Sequence, residues 1–336
     1  MKHVTIAICN YNYERYLAAA IDSALAQVYP ATNVMVVDDG STDGSRAIME
    51  RYGNRISAVF KANGGQVSAY NHAIALLETE YVIFLDSDDV LYPDAVSEVM
   101  RVFDDGEWSK VQFRLDVMDG EGVSTGAYVP HSEPPHDCAR LLEGGWLYPS
   151  PPASGNAYRV NALRQIFPVP EEGVNRYGAD FYAIYGVALT GPIATVPKSL
   201  GGYRVHNAGS ETVSFANSEQ LTKAPRAFNM RWAILRNIAK DRLEIELPPT
   251  FQDFSHEKAT FCSNLYHAKF FTRWRWMIRD SRSYLHTIVA NPFWSLKKKL
   301  GTLVLSSLCL VPYSPLSDFA VRYIANPLAR RRVAGR

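Results

Sequence analysis

Three carboxylates fall within four positions, Asp86-Ser87-Asp88-Asp89, directly after the apolar run Tyr81-Val82-Ile83-Phe84-Leu85. Burying such like charges together is strongly unfavourable, so the cluster is expected at an exposed strand end where a cation holds it. An Asp-x-Asp pair on a tight loop presents oxygens to a hard divalent cation, Mn2+ or Mg2+, which in turn bridges the phosphate oxygens of a nucleotide. The plainer role is an acidic cap for a helix starting near Pro93. It would employ Asp89 or Asp94 and leaves Asp86 and Asp88 unexplained.

A second polar loop, Asp38-Asp39-Gly40-Ser41-Thr42-Asp43, follows the run Asn33–Val37. Its glycine lets backbone approach a ligand, and Asp39 at a strand end can accept hydrogen bonds from a base or a ribose. The same residues would also build an Asx-type turn with Ser41 or Thr42 as a helix cap.

The elements that position these loops alternate. VTIAIC (4–9), NVMVVDD (33–39), ISAVFK (56–61) and YVIFLD (81–86) read as short strands rich in β-branched or aromatic residues. Leu17, Ile21, Leu25 and Val28, then Val67, Tyr70, Ile74 and Leu77, recur at the spacing of buried helix faces. Strand followed by helix, repeated, predicts a doubly wound α/β sheet, whose ligands bind beyond the carboxyl ends of the strands. Those ends carry CNYNY (9–13), DDGSTDGS (38–45), KANGGQ (61–66) and DSDD (86–89). Pro93 and Asp94 suit the first turn of the next helix.

Further along, MDGEG (118–122) predicts a turn, SGNAYRV (154–160) a strand, 180–189 a helix and 193–203 a strand. From about residue 216 the period is helical, broken at Pro248-Pro249, Pro292, Pro312 and Pro315. The expected division is 1–215 as the chemical domain and 216–336 as a mostly helical region.

With 336 residues, 47% of them hydrophobic, the chain is long enough for one large domain or two and is not a disordered or fibrous sequence. Four scattered cysteines without a CxxC pair argue against a disulfide framework and a zinc knuckle, and fit a reducing cytosol. No secretory signal is apparent at the N-terminus. The net charge of +1 conceals an asymmetry: over 256–336 fourteen Lys and Arg stand against three acids, a net of +11 that leaves −10 for the rest. A basic tail on an acidic body suggests an anionic surface as its partner.

Taken together, VTIAICNYNYERYLAAAIDSALAQ, VVDDGSTDGS, ANGGQVSAYNHAI, YVIFLDSDD, SGNAYR, GADFYAIYGVALTG and GGYRVHNAGS resemble the inverting family 2 glycosyltransferases of the GT-A fold, over residues 4 to about 210. Many pieces in the right order make the resemblance specific. It implies a Rossmann-like nucleotide-diphospho-sugar transferase fold with a helical C-terminal extension. By the same resemblance Asp39 reads a pyrimidine ring, and Tyr11 with the Cys9–Tyr11 backbone walls the base. Asn71 becomes a nucleotide-sugar contact, Asp86 a ribose or sugar contact and Asp88 a metal-bound carboxylate. Asp180 matches the base that deprotonates the acceptor hydroxyl, although it could equally cap a helix, and His206 matches a histidine that completes the metal site in many relatives. Where the family usually has Pro-Thr-Tyr-Asn, this chain has Cys9-Asn10-Tyr11-Asn12. GGWLYPSPPASGNAY (144–158) is expected to line the acceptor side, with Trp146 and Tyr148 stacking on a sugar, and Asn207–Ser210 to order over bound nucleotide.

The implied activity is metal-dependent transfer of a sugar from a nucleotide-diphosphate donor, UDP foremost, to a hydroxyl of a glycan or lipid-linked acceptor in cell-surface polysaccharide assembly. Three other readings compete. A phosphatase built on DSDD usually has Thr where Val90 stands, and a nucleotidylyltransferase wants a Gly-rich, cationic loop that CNYNYERY does not supply. A non-catalytic nucleotide-sugar-binding module is the third, since fold does not fix activity. No nucleic-acid partner is expected. LGTLVLSSLCLVPY (300–313) is too short and proline-broken to span a bilayer, yet Lys297–Lys299, Arg330–Arg332 and Arg273-Trp274-Arg275-Trp276 flank it. That pattern predicts a cytoplasmic enzyme peripheral on the inner face of the plasma membrane, or helices that pack on the protein or in a homo-oligomer.

Overall fold

The computed structural model describes residues 2–171, 175–206, 218–266, 268–312 and 314–325. Strands β1 (Val4–Asn10), β2 (Thr32–Asp38), β3 (Ser57–Phe60) and β4 (Tyr81–Asp86) run parallel in the spatial order β3-β2-β1-β4. Both faces of β1 are covered, with Val4, Ile6, Ala7 and Ile8 fully buried, which is why the run is apolar throughout and does not alternate. Helices α1 (Glu14–Leu25), α2 (Ser45–Tyr52) and α3 (Gln66–Leu76) make the crossovers. α1 buries Leu17, Ala20, Ile21 and Ala24, and α3 buries Val67, Tyr70 and Ile74, as their spacing predicts. Val28 departs from the expected face: the helix ends at Leu25, and Val28 is 64% exposed.

The sheet then ceases to be parallel. After β5 (Val90–Leu91) and α4 (Ala95–Asp105) come β6 (Lys110–Met118), β7 (Ser124–Val129), α5 (Ala139–Glu143), β8 (Asn156–Arg159), α6 (Val160–Ile166), α7 (Ala179–Phe181) and β9 (Ile193–Arg204). Pro93 and Asp94 precede α4 and do not open it. β8 lies antiparallel between β4 and β6, β9 runs parallel to β6, and β5 pairs antiparallel with β9. That last pairing, Val90 with Gly202 and Leu91 with Gly201, lays the end of β9 beside the Asp86–Asp89 loop. A Cβ on Gly201 would sit 2.5 Å from the Val90 carbonyl oxygen, so the close approach of backbones requires glycine there. The turn expected at 118–122 joins β6 to β7, with Asp119 Oδ1 accepting from the amides of Glu121 and Val123.

Two compact units result, Met1–Ala208 with Met230–Pro249, and Gly209–Asn229 with Thr250–Arg336. The expected boundary at 215 therefore needs correction, because the far half of α8 (Ser218–Leu243) belongs to the first unit. The reason is burial: Trp232, Leu235, Ile238 and Ala239 are at most 5% exposed, and Arg242 donates to the carbonyls of Ile166 and Pro168.

The second unit contains α9 (Phe254–Leu265), α10 (Phe270–Arg279), α11 (Arg282–Val289), α12 (Leu296–Leu308) and α13 (Ser314–Ala325). They close on a core of Phe261, Leu265, Tyr284, Ile288, Cys309, Val321 and Ile324. Pro315 lies in the first turn of α13, where proline is tolerated, so it opens a helix and does not break one. Arg273, expected among the surface cations, is 3% exposed, ion-paired with Asp318 and bonded to the carbonyls of Ala268 and Cys309. Trp276 packs edge-on against Phe261. Both are structural. No helix among the described residues is long and apolar enough to cross a membrane.

Candidate active site

The Asp86–Asp89 loop is held from three directions. Ser154 Oγ accepts from the Asp86 amide at 3.0 Å and donates to Asp89 Oδ2 at 2.6 Å. The Arg204 amide donates to Asp89 Oδ1 at 2.8 Å, and Ser87 Oγ donates to the Cys9 carbonyl at 2.9 Å. The Arg204 side chain adds bonds from Nε to the Asp88 carbonyl and from Nη1 to the carbonyls of Asp119 and Gly120, with its guanidinium 4.8 Å above the Tyr16 ring.

Exposure of the whole cluster was the expectation, and the structure corrects it. Asp89 is 1% exposed, tolerable because two donors meet its oxygens, while Asp86 and Asp88 are half-buried. Burial, reinforced by Asp88, pushes the Asp89 carboxyl up to about 7. Burial with Asp89, Asp180 and Asp88 as neighbours raises Asp86 well above the ordinary range. Asp180 is raised by burial too, against the opposing pull of Arg231. Asp86 thus stands within reach of three other carboxylates. Each added negative charge costs more than the last, and a cation relieves the cost.

His206 supplies the partner. Its Nε2 lies 2.6 Å from Asp88 Oδ2, and its ring stands 5.3 Å from that of Tyr16 and 6.2 Å from that of Tyr13. Beside it opens a cleft of about 580 Å³ lined by Asn12–Tyr16, Thr42, Asp43 and His206. Among the described residues no set of three or more His, Cys, Asp or Glu is arranged to hold a metal by itself. An oxygen and an imidazole nitrogen on one side suit an ion that takes its other ligands from water and substrate phosphates, the habit of Mg2+. The residues present fit such an ion.

On the other side of Cys9, Asp39 is 3% exposed and each of its oxygens already meets two donors. Oδ1 accepts from Lys61 Nζ at 2.6 Å and the Gly64 amide at 2.9 Å; Oδ2 accepts from the Gly65 amide at 2.7 Å and Asn63 Nδ2 at 3.2 Å. It organises the Lys61–Gly65 loop, and a base read by Asp39 would share or replace one of these bonds. Asn10, where the family usually has Thr, is 1% exposed and donates to Asp38 Oδ1 and Ser41 Oγ. Asn12, at φ 57°, accepts from the Thr42 amide. These bonds fasten the two loops together and leave Tyr11 44% exposed at the rim.

Asp180 follows Gly178, whose φ of 81° sets the start of α7, and a single π turn over Tyr182–Gly186 follows it. Two expected site residues are placed elsewhere. Asn71 forms a reciprocal pair with the Val169 backbone, donating to its carbonyl and accepting from its amide, and also donates to Glu171. Tyr148 is 2% exposed, its hydroxyl donates to the Ile184 carbonyl, and the Lys110 ammonium lies 4.9 Å from its ring centre. Both spend their polar atoms on bonds within the fold. Trp146 remains half-buried, and Asn207–Ser210 lies outside the described residues. Ser154, Lys61 and Arg204 escaped the sequence reading, although Ser154 stands in SGNAYR and Arg204 two residues before His206.

Residues 5–167 match the sequence model of Glycosyl transferase family 2. An uncharacterised glycosyltransferase of Nostoc sp. is 36% identical over 234 residues, covering 68% of this chain and 72% of that protein. The chain belongs to glycosyltransferase family 2. This family 2 glycosyltransferase is also 40% identical to the chondroitin synthase of Pasteurella multocida, over 103 residues that make up 30% of this chain and 11% of that one. Its fold is GT-A. The crystal structure of S. aureus TarS 1-349 in complex with UDP aligns over 98% of this chain and 89% of that one, with a TM-score of 0.53 and 18% identity. The mannosyltransferase PcManGT from Pyrobaculum calidifontis, in complex with GDP-Man and Mn2+, aligns over 99% and 87%, with a TM-score of 0.52 and 18% identity.

Proposed function

We propose that this family 2 glycosyltransferase transfers a sugar from a nucleotide-diphosphate donor, with UDP as the first choice of nucleotide, to an acceptor hydroxyl with inversion at the anomeric carbon. What supports the reading is that Asp86 lies near enough to Asp180, as well as to Asp89 and Asp88, for each to raise it, while His206 stands 2.6 Å from Asp88. A cation-holding side and a proton-accepting side thereby belong to one site.

Asp88 and His206 would hold Mn2+ or Mg2+, which when bound would neutralise the charge developing on the departing diphosphate. Asp86 faces the donor's ribose or sugar, and Tyr11 with Asp39 and Lys61 borders the base. Asp180 takes the proton from the acceptor hydroxyl as its oxygen bonds to the anomeric carbon and the bond from that carbon to the diphosphate oxygen breaks. Its raised affinity for protons suits that task, since a base works best when its own pKa approaches the operating pH. Arg204 and Ser154 keep the Asp86–Asp89 loop in place without touching the donor. The likeness to a chondroitin synthase over 103 residues supports a glycan as the acceptor, which on this proposal is a cell-surface or lipid-linked one.

A panel of UDP-, dTDP- and GDP-sugars, each with Mn2+, Mg2+ or EDTA, tests the reading through release of the nucleoside diphosphate and through NMR of the product anomer. Metal-dependent release with inverted product is expected. Phosphate release from a phosphomonoester without sugar release would replace transfer by phosphatase chemistry.

A further inference from the structure

The second unit turns apolar side chains outward among cations. α10 leaves Phe271 83%, Trp274 43% and Ile278 77% exposed, at positions i, i+3 and i+7 of one helical stripe. Arg275 and Arg279 are exposed on the same helix, Lys269 precedes it and Arg282 opens α11. α12 carries a second stripe, Leu296 72%, Leu300 54% and Val304 60% exposed, at i, i+4 and i+8, with Lys297 and Lys298 exposed beside its start. Trp274 Nε1 donates to the carbonyl of Leu310, two residues beyond the end of α12, at 3.1 Å.

Acidic residues are few beside these cations. Among the described residues from 250 onward, Asp253, Glu257 and Asp318 are half-buried, with Glu257 bonded to Ser283 and Asp318 spent on Arg273; Asp280 is the exposed one. Six large hydrophobics stand exposed in two stripes of the same helical unit, and exposed apolar surface rimmed by charge is of the kind that marks an interaction surface. A second copy is a poor cover, because a two-fold interface sets the same patch against itself and would oppose Arg275, Arg279, Lys297 and Lys298 to their own like charges. Lysine is also depleted from protein interface cores. An anionic lipid surface suits both features, since its phosphates meet the cations and its acyl boundary takes Trp, Phe and aliphatic side chains.

We propose that the α10 and α12 faces dock the second unit onto an anionic bilayer surface. Phe271, Trp274, Ile278, Leu296, Leu300 and Val304 enter the interface, and Arg275, Arg279 and Lys297 pair with lipid phosphates. The docking is peripheral, for no helix among the described residues is long and apolar enough to cross a membrane.

Vesicle flotation of the full-length protein tests this without turnover, so its outcome is independent of the glycosyl-transfer reading. Binding is expected to phosphatidylcholine vesicles containing about 30% phosphatidylglycerol at low salt, and at least about tenfold weaker binding to pure phosphatidylcholine. Arg275→Glu with Arg279→Glu should weaken low-salt binding about tenfold or more, whereas Phe271→Ser with Ile278→Ser should remove chiefly the part that survives high salt. An unchanged melting temperature and unchanged donor hydrolysis verify the fold of each variant, and Trp fluorescence should shift to the blue on binding in the native protein. The proposal fails if the native protein ignores anionic vesicles at low salt, or if both double variants float as it does. It also fails if light scattering finds a dimer that the serine variant dissolves and that excludes vesicles, which would assign the face to a second copy.

Discussion

His206 Nε2 stands 2.6 Å from Asp88 Oδ2 although 118 positions separate the two residues in the chain. The contact exists because β5 pairs with the glycine end of β9, which delivers His206 to the loop that follows β4. Divalent-ion affinity should therefore depend on both side chains. Asp88→Ala is expected to abolish turnover and Mn2+-dependent UDP binding, and His206→Ala to weaken Mn2+ binding in the presence of UDP by about tenfold to a hundredfold. Calorimetry with and without EDTA measures this; UDP affinity that EDTA leaves unchanged in the native enzyme would remove the metal role.

The same strand pairing gives a prediction at a residue that touches no ligand. Gly201→Ala places a Cβ 2.5 Å from the Val90 carbonyl oxygen, and neither backbone can yield without opening the β5–β9 pair. A loss of about 1–3 kcal/mol in urea unfolding is expected, with Mn2+ affinity falling as well because the ligand pair is splayed. Native-like stability and Mn2+ binding in this variant would show that the pairing does not position the site.

Asp180→Asn should leave UDP and metal binding intact while transfer falls by about two to four orders of magnitude, the usual worth of a general base. The native enzyme should lose activity on the acid side with a midpoint above the ordinary carboxylate range, since burial raises Asp180 and the protonated group cannot accept a proton. The residual rate of the Asn variant should lack that limb. Pre-steady-state transfer measured across pH, beside UDP calorimetry, separates the effects, and an equal loss of UDP affinity and rate would move Asp180 out of the acceptor side.

Asp89 makes the metal-free protein sensitive to pH. Its carboxyl is pushed up to about 7 in the folded chain, above its unfolded value, so folding favours the protonated form. Stability should decline as the pH rises from about 4 to about 7 and stay lower beyond it, by an amount on the order of 4 kcal/mol for this group. Asp89→Asn keeps an oxygen for the Arg204 amide and should be more stable than the native protein at pH 8 but not at pH 4. Denaturant unfolding in EDTA across pH checks both parts, and a native protein more stable than the variant at pH 8 would contradict them.

Two neighbouring aromatics should behave differently. Tyr148→Phe loses the bond to the Ile184 carbonyl and should cost about 1–2 kcal/mol of stability with kcat and KM near native values. Trp146→Ala should raise the KM for the acceptor and leave donor hydrolysis alone. Equal kinetic effects of both changes would return Tyr148 to the acceptor side.

The strand ends, the order of the polar loops, the membership of the chain in its family and the basic character of its tail were legible in the sequence alone. They rest on local periodicity, on residue types and on motif order, which neighbouring positions dictate. The resemblance to the family, carried by motif order, singles out Asp39, Asp86, Asp88, Asp180 and His206 without any knowledge of their contacts. What each side chain is spent on was decided only by tertiary structure. Asn71, Tyr148 and Arg273 have the chemistry of ligand-binding residues, yet the Val169 backbone, the Ile184 carbonyl and Asp318 take up their polar atoms. Arg204 and Ser154 carry no motif of their own, yet they hold Asp89 across 115 and 65 positions. The division of α8 between two units follows the same rule, for its helical period is continuous and the burial of Trp232, Leu235 and Ala239 depends on what lies opposite. A polar atom takes whichever partner the fold brings to it once water is excluded, and partners so far apart in the chain leave no trace in local sequence.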